Sequence, residues 1–385
     1  MAPIRLQTRA VAEFKCLTDA CPDTCCKGWG MQLTPQNVER IAHAAPELLD
    51  DIAISGAEAL MKRHPATDMC VKLDGGNCSI QRDYGEQMLG DACYFFPRIT
   101  RALGDTVFTT AALSCPETAR LMLTSDDMLA VGPREEVRTP YQLKNYLPAD
   151  LTADAAFSIH QLFLEMAGST AYAAEYNLLR VSAVAQALSM QPVSQWQGAA
   201  TFYATIADSR IPAAESHAGD PFNTLHALYG LVHASAGVSS RLMAIIGGMA
   251  KALGMQFDSE LDKIHLSDDS ATKATAMIAH GRAQSKTLQP MLRRYVKAQL
   301  SQALFPFAGL GGSVSDRVAI IGVRLATVKL ALMTLPVMPS EEEVVEVIQT
   351  ISRFMDHLAS PELMLEMYRE TGWVREPRLR ALLDA

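Results

Sequence analysis

The cysteines are the residues of this chain whose type and spacing most clearly indicate chemistry. All eight lie between positions 16 and 115 of the 385-residue sequence, and none follows. They form three groups: Cys16, Cys21, Cys25 and Cys26; Cys70, Cys78 and Cys93; and Cys115. Thiolates are soft ligands, and a metal centre needs several of them close together. The pattern therefore predicts a cysteine-held metal or iron–sulfur site near the N-terminus, with all eight residues as candidate ligands.

The spacing of these cysteines leaves the type of metal centre open. One tetrahedral zinc ion or one 4Fe–4S cluster needs four thiolates. The Cys-x2-Cys pairs of zinc ribbons are absent, and ligands from several loops favour a 4Fe–4S cluster, with zinc as the alternative. We place Cys21, Cys25, Cys70 and Cys93 first. Spacing alone does not select four ligands from eight, and it does not decide between one cluster and two.

The remaining composition limits the compartment and the partners. The net charge is −8, which argues against a nucleic-acid partner because such proteins are usually basic. The first residues contain no apolar run of signal-peptide length, and the most apolar later run, 318–335, is interrupted by Arg324 and Lys329. We therefore expect a cytoplasmic protein without a membrane span. In the reducing cytosol, clustered cysteines more often bind metal than form disulfides.

The elements that must position the cysteines predict a mainly α protein. We expect a loop-rich cysteine module over residues 1–125, a proline-containing linker over 126–150, and an all-helical body over 151–385. The module is expected to pack on the helical body. The distribution of glycine and proline places most short elements and turns in the module.

Three elements of the cysteine module can be predicted from local signals. Thr34 followed by Pro35 is typical of a helix start, and this helix should run to about residue 45. Residues 106–113 are the best candidate for a strand. Cys115 followed by Pro116 begins a second helix, so the Cys115 thiol should lie near a helix N-terminus, where the dipole lowers thiol pKa values and favours metal binding.

The body shows apolar residues at helical spacing, with start and stop signals that agree with it. Ser340 and Glu343 form a capping box, Pro361 begins a helix that Gly372 ends, and 309–312 is expected to connect two helices. The predicted helical segments are 151–190, 223–236, 240–254, 285–305, 315–335 and 341–358.

Several short stretches resemble the flagellin lysine-N-methylase family. They are Phe14-Lys15-Cys16, the run from Cys21 through Cys25-Cys26 to Trp29, Leu33-Thr34-Pro35, Asn77-Cys78, Cys93 with Phe96-Pro97-Arg98, and Leu113-Ser114-Cys115-Pro116-Glu117 with Ala119-Arg120. The first seven cysteines also resemble zinc- or iron-chelating YkgJ-type domains, and the Leu-Ser-Cys-Pro-Glu element narrows the choice. The resemblance is specific over about 11–125 and continues more weakly to about 335.

This resemblance implies an S-adenosylmethionine-dependent transfer of methyl groups to lysines of flagellin, with an iron–sulfur cluster required. The candidate catalytic residues are Tyr94, which could hydrogen-bond the amine, and Arg98 and Glu117, which lie close to cysteines. Trp29 and Arg120 are candidates for binding the methyl donor, by stacking and by charge respectively.

The residues themselves support the metal site better than the methyl transfer. A nucleotide-type donor is expected at a glycine-rich strand-to-helix turn, and neither Gly247-Gly248 nor the glycines of 309–312 follow a convincing strand. The nine histidines are dispersed along the chain, so we expect them to be core or surface residues rather than metal ligands. An alternative function is therefore a non-catalytic redox or metal sensor whose helical scaffold docks a partner.

Overall fold

The protein is mainly helical, which confirms the predicted fold class. The computed structural model describes residues 3–27, 30–56, 58–135, 138, 140, 143–215, 220–235, 238–258, 263–309, 312–358 and 361–384. Over these residues, no helix is both long enough and apolar enough to cross a bilayer.

Short strands concentrate before residue 135 and long helices after residue 150. The strands are β1 Ile4–Thr8, β2 Gln32–Leu33, β3 Ile52–Ser55, β4 Glu58–Met61, β5 Leu73–Asp74, β6 Asn77–Cys78, β7 Arg98–Leu103, β8 Thr106–Ala111, β9 Val131–Pro133, β10 Met255–Asp258 and β11 Lys263–Leu266. The first helices are α1 Arg9–Glu13, α2 Pro35–Ala44, α3 Ser79–Tyr84, α4 Asp91–Phe95 and α5 Pro116–Thr124. The later helices are α6 Ala153–Gly168, α7 Ala174–Ser189, α8 Trp196–Thr205, α9 Asp220–His233, α10 Ser240–Leu253, α11 Ser270–Gln302, α12 Val314–Leu332, α13 Glu341–Asp356, α14 Pro361–Glu370 and α15 Glu376–Asp384.

The N-terminal part is built around a sheet with strand order β7-β8-β1-β9. The predicted strand is confirmed as β8, which pairs antiparallel with β7 and parallel with β1 and is buried along its whole length. β9 pairs antiparallel with β1 and lies inside the segment predicted as a linker. The sequence contains no signal for this short edge strand, because its pairing partner lies far away in the chain.

The start of α2 agrees with its sequence signal. The Thr34 hydroxyl accepts from the Asn37 N–H at 3.2 Å, and the Asn37 carboxamide oxygen accepts from the Thr34 N–H at 3.2 Å. This reciprocal capping satisfies two backbone donors that would otherwise lack partners. The side-chain N–H of Asn37 also donates to Asp91 at 2.7 Å, so the cap ties α2 to α4.

Buried apolar side chains form two separate clusters. The smaller one lies around α2, β4, α3 and α4 and includes Met31, Ile41 and Tyr94. The larger one joins β8 and α5 to helices α6 through α15. The smaller core therefore draws on residues 31–94, whereas the larger core also takes in Ala10 and Val11 from the N-terminal end. Helix α5, although part of the predicted cysteine module, packs with the helical body. The predicted domain boundary at 125 stays a prediction.

The helical body follows the predicted segments with four differences. Segment 151–190 is two helices, α6 and α7, and segment 285–305 overlaps the longer α11, which begins at Ser270, contains Pro290 and ends at Gln302. Helices α8 and α15 lie outside the predicted helical segments. The antiparallel hairpin of β10 and β11 shows that the body is not all-helical. Gly372 follows α14 with a φ of +76°, as its position at the end of a helix requires.

The buried His160 generates a prediction about acid stability. Its Nδ1 lies 2.9 Å from the Phe305 carbonyl oxygen, and burial lowers its pKa from 6.5 to about 4. Below pH 6.5 the unfolded chain binds a proton that the folded chain does not, so this residue lowers stability as pH falls from 6.5 towards 4. The loss should reach roughly 3 kcal/mol at pH 4.

Urea unfolding of the wild type and the variant His160→Gln between pH 7 and pH 4 tests this effect. The variant should lose this component of the pH dependence, while the control His43→Gln, at an exposed position on α2, should keep it. Parallel pH curves for the wild type and His160→Gln would contradict the prediction.

Candidate metal centre

The structure brings the eight cysteines together around one cavity of about 390 Å³. Their side chains come from five places in the chain: residues 16–26 and positions 70, 78, 93 and 115. Some of these places pack on the smaller apolar core and others on the larger one. The lining thiols are Cys16, Cys21, Cys25, Cys26, Cys70, Cys78, Cys93 and Cys115. Residues far apart in the sequence therefore share one space, as their density in the sequence suggested.

Backbone contacts hold the first two cysteine segments against each other. The Cys70 N–H donates to the Cys26 carbonyl at 2.9 Å, and Leu73 pairs with Cys78 in the hairpin of β5 and β6. The turn of this hairpin contains Gly76, with a φ of +84°. A Cβ there would lie 2.7 Å from the Cα of Asp19, so only glycine allows the first cysteine loop to approach so closely.

Backbone N–H groups point at several of the thiols. The clearest example is the Lys72 N–H, which donates to the Cys70 sulfur at 3.4 Å. Comparable interactions reach Cys21 from Asp23, Cys78 from Ile80 and Gln81, and Cys115 from Glu117 and Thr118. Donors of this kind stabilise the thiolate form and are typical of sulfurs that bind metal. Cys115 precedes the first turn of α5, as predicted, and α5 supplies its donors. The predicted lowering of its pKa was wrong, because burial outweighs these donors and raises the pKa of the Cys115 thiol.

Burial and mutual repulsion keep most of these thiols protonated in the absence of metal. Burial, followed by the charge of neighbouring cysteines, raises the pKa of Cys93 to about 12, and burial raises the pKa of Cys70 to about 11. The hydrogen bond between Cys25 and Cys26 raises the pKa of Cys25 and lowers that of Cys26. Metal binding at this site would have to release protons and would strengthen as pH rises.

The thiols surround a space rather than meeting at one point. Over the part of the chain that the structure describes, no three histidine, cysteine, aspartate or glutamate side chains could hold one metal ion. A tetrahedral zinc ion with Zn–S bonds of about 2.3 Å holds its sulfurs about 3.8 Å apart. The arrangement seen here instead leaves room between the sulfurs.

Two of the three predicted catalytic side chains line this cavity. Glu117 is buried and accepts two hydrogen bonds from Arg120, at 2.7 and 2.9 Å. Arg98 donates to the Tyr94 carbonyl at 2.9 Å, and its guanidinium lies 5.4 Å from the centre of the Phe14 ring. The charged residues that line the cavity beside the thiols are therefore Lys15, Lys72, Arg98, Asp23, Glu86 and Glu117, and Arg98 pairs with Glu86 at 3.4 Å.

The other predicted site residues lie elsewhere. Tyr94 packs in the smaller apolar core beneath the guanidinium of Arg138, 4.7 Å from its ring centre, and is not among the cavity-lining residues. Arg120 is about half exposed and contacts Glu117 from outside the cavity. Trp29, predicted to stack on the methyl donor, lies outside the described residues.

Sequence reasoning missed two residues that contact the cysteine loops from the helical body. Gln349 and Arg353 on α13 make hydrogen bonds to Asp23 and its neighbours. The local signal was weak: Gln349 is a polar residue at a buried position beside Val347 and Ile348. Nothing in the sequence indicates which distant segment it contacts.

The fold and the site therefore define the class of this protein: it is mainly helical and has a thiol-lined cavity. The chain is 26% identical over 158 residues to the flagellar biosynthetic protein FliU of Salmonella muenchen, covering 38% of this chain and 94% of that protein. It is also 26% identical over 186 residues to lysine-N-methylases of Salmonella typhimurium and Salmonella choleraesuis.

The homology to these lysine-N-methylases is distant. The aligned part covers 46% of this chain and 46% of each lysine-N-methylase, so the chain spans about half their length. No family model matches the chain, and no solved structure matches it.

The thiol environments predict an order of chemical reactivity in the metal-free protein. At pH 7, iodoacetamide should modify Cys26 at least about tenfold faster than Cys70 and Cys93, because the pKa of Cys26 is lowered and theirs are raised. The difference should shrink as pH rises towards 11. Mass spectrometry of timed samples measures it, and the urea-unfolded chain, in which all eight should react alike, is the control. Equal rates in the folded protein would contradict the prediction.

Proposed function

We propose that this chain is an S-adenosylmethionine-dependent protein lysine N-methyltransferase whose cysteine-lined cavity holds a 4Fe–4S cluster. The observation that carries the proposal is the gathering of eight thiols, Arg98 and Glu117 around one cavity. The distant homology to lysine-N-methylases supports the reaction type.

The donor set fits a cluster better than a single ion. In a 4Fe–4S cluster each thiolate binds a different iron atom, so the ligands can stand around a space. Cys21, Cys70, Cys78 and Cys115 receive backbone N–H groups, which favour their thiolate forms. The part-buried Cys25, Cys26 and Cys93 and the exposed Cys16 complete the wall. When bound, such a cluster supplies redox and Lewis-acid chemistry. Zinc, the alternative, requires the sulfurs to move closer together.

The reaction requires a neutral lysine amine. With a pKa near 10.4, about 0.04% of the amine is neutral at pH 7, and holding it neutral costs about 4.6 kcal/mol. Entry into the cavity removes water from the incoming amine, and this desolvation disfavours its charged form and so lowers its pKa. Glu117 can take up the released proton through water. The nitrogen then forms its bond to the donor methyl group while the carbon–sulfur bond breaks, and the positive charge moves from sulfur to nitrogen.

Flagellin is the protein substrate that we propose. One relative carries the name of a flagellar biosynthetic protein, and others carry the name lysine-N-methylase. The net charge of −8 favours encounter with a lysine-bearing surface through long-range attraction.

Incubation of the anaerobically purified protein with flagellin and methyl-labelled S-adenosylmethionine tests the activity. We expect label on flagellin lysines, and an at least tenfold slower rate for Glu117→Gln, which keeps the side-chain shape but cannot hold a proton at neutral pH. Arg380→Ala, on α15 and far from the cavity, is the control. No transfer in the presence of an intact cluster would overturn the proposal and favour the sensor function.

Two cysteine substitutions test the cluster. Cys25→Ser and Cys93→Ser should each lower the iron bound per chain, because thiolate ligation at such sites contributes on the order of 10 kcal/mol to binding and folding. Iron and sulfide analysis and the visible spectrum measure the loss. Tyr84→Phe, which removes an exposed hydroxyl of the same region, should retain full iron. Unchanged iron in both cysteine variants would show that neither is a ligand.

A further inference from the structure

One face of α13 reaches the cysteine cavity from the helical body. Gln349, Arg353 and His357 follow each other at intervals of four residues, the last at the C-terminal cap, so they lie on the same side of the helix. Arg353 contacts the loop of Cys21–Cys26, Gln349 joins that loop to the Cys115 segment, and His357 lies beside the segment that follows Cys93. These contacts span most of the length of the chain.

Arg353 holds the loop that carries Cys21, Cys25 and Cys26. Its guanidinium donates to the carbonyls of Asp23 and Thr24, each at 2.9 Å, and to that of Lys27 at 3.1 Å. The same guanidinium pairs with the Asp23 carboxylate at 2.8 Å, and both side chains are about four-fifths buried. A planar fork with five N–H donors can bind several carbonyls at once, and a lysine ammonium cannot reproduce this geometry.

Gln349 joins two cysteine segments through one nitrogen atom. Its side-chain N–H groups donate to the Asp23 carboxylate at 3.0 Å and to the Ser114 carbonyl at 2.9 Å. Asp23 lies between Cys21 and Cys25, and Ser114 immediately precedes Cys115. Gln349 is only 2% exposed, so the loss of either bond would leave buried polar groups without partners.

His357 extends the same face to a third segment. Its ring lies 6.1 Å from that of Phe96, which lines the cavity three residues after Cys93. The end of α13 is fixed in turn by the buried Arg324, which pairs with Asp356 at 2.8 Å and donates to the Met355 carbonyl at 2.9 Å. The face of α13 is therefore mounted on the core of the body.

We propose that Gln349 and Arg353 are positioning residues of the thiol cavity, so that the helical body sets the spacing of the Cys21–Cys26 loop and the Cys115 segment. This inference rests on the proposed function in that it assigns the cavity a bound cluster. Because the same contacts hold the cavity and the helix, binding in the cavity should also stabilise the packing of α13, and disruption of α13 should weaken binding.

Four variants of the full chain test the positioning role. After anaerobic reconstitution, we expect Arg353→Ala to retain iron at least tenfold more weakly than the wild type against a chelator, the usual effect of removing an outer partner of metal ligands. Arg353→Lys should restore part of the retention and shift the reduction potential, because it keeps the charge but not the fork. Gln349→Ala should resemble Arg353→Ala in a milder form. Arg294→Ala removes a comparable pairing, with Asp126 and the Leu123 carbonyl at the far end of α5, and should leave iron retention unchanged.

A second measurement on the metal-free proteins separates the two proposals. In Arg353→Ala, iodoacetamide should modify the part-buried Cys25 several-fold faster than in the wild type, because the loop that carries it is no longer held by the guanidinium, while Cys70 and Cys78 react as before. If the wild type takes up no iron but this pattern appears, the cluster proposal fails and the positioning role stands. Iron retention, reduction potential and alkylation all equal to the wild type in Arg353→Ala, Arg353→Lys and Gln349→Ala would overturn the positioning role. Should Arg353→Ala not fold, the other two variants decide.

Discussion

The gathering of eight thiols around one cavity, seven of them at least partly buried, is the constraint on which the rest of the structure depends. Each thiolate is unfavourable in a buried site and repels the next, as the raised pKa values of Cys70 and Cys93 show. The fold offsets this cost with backbone N–H groups aimed at the sulfurs and with the Arg353 guanidinium beside the first loop. A bound cation-containing cluster would offset it further, which is why we interpret the cavity as a metal centre.

The cavity lies where the two apolar cores meet. The smaller core supports Cys70, Cys78 and Cys93, whereas α5 belongs to the larger core and brings Cys115 with it. The site is therefore shared between the loop-rich part and the helical body, and neither part alone supplies the whole wall.

The proposed methyl donor must be recognised without a dinucleotide-type turn. Gly247 and Gly248 lie inside α10, and Gly309 and Gly312 lie between α11 and α12, with 310 and 311 outside the described residues. None of these glycines follows a strand in the described structure. In the proposed function, Arg98 at the cavity wall would face the donor carboxylate, and Glu117 would face its cationic groups.

The sequence by itself determined the helical fold class, the capped starts of α2 and α13, the strand β8 and the density of cysteines that marks the site. These features depend on hydrogen bonds and periodicities within a few residues. Only the tertiary structure decided that Tyr94 and Arg120 lie away from the cavity, that Gln349 and Arg353 contact the cysteine loops, and that 131–133 is a strand. Those outcomes depend on pairings between segments far apart in the chain, whose energies come from packing and burial and leave no local pattern.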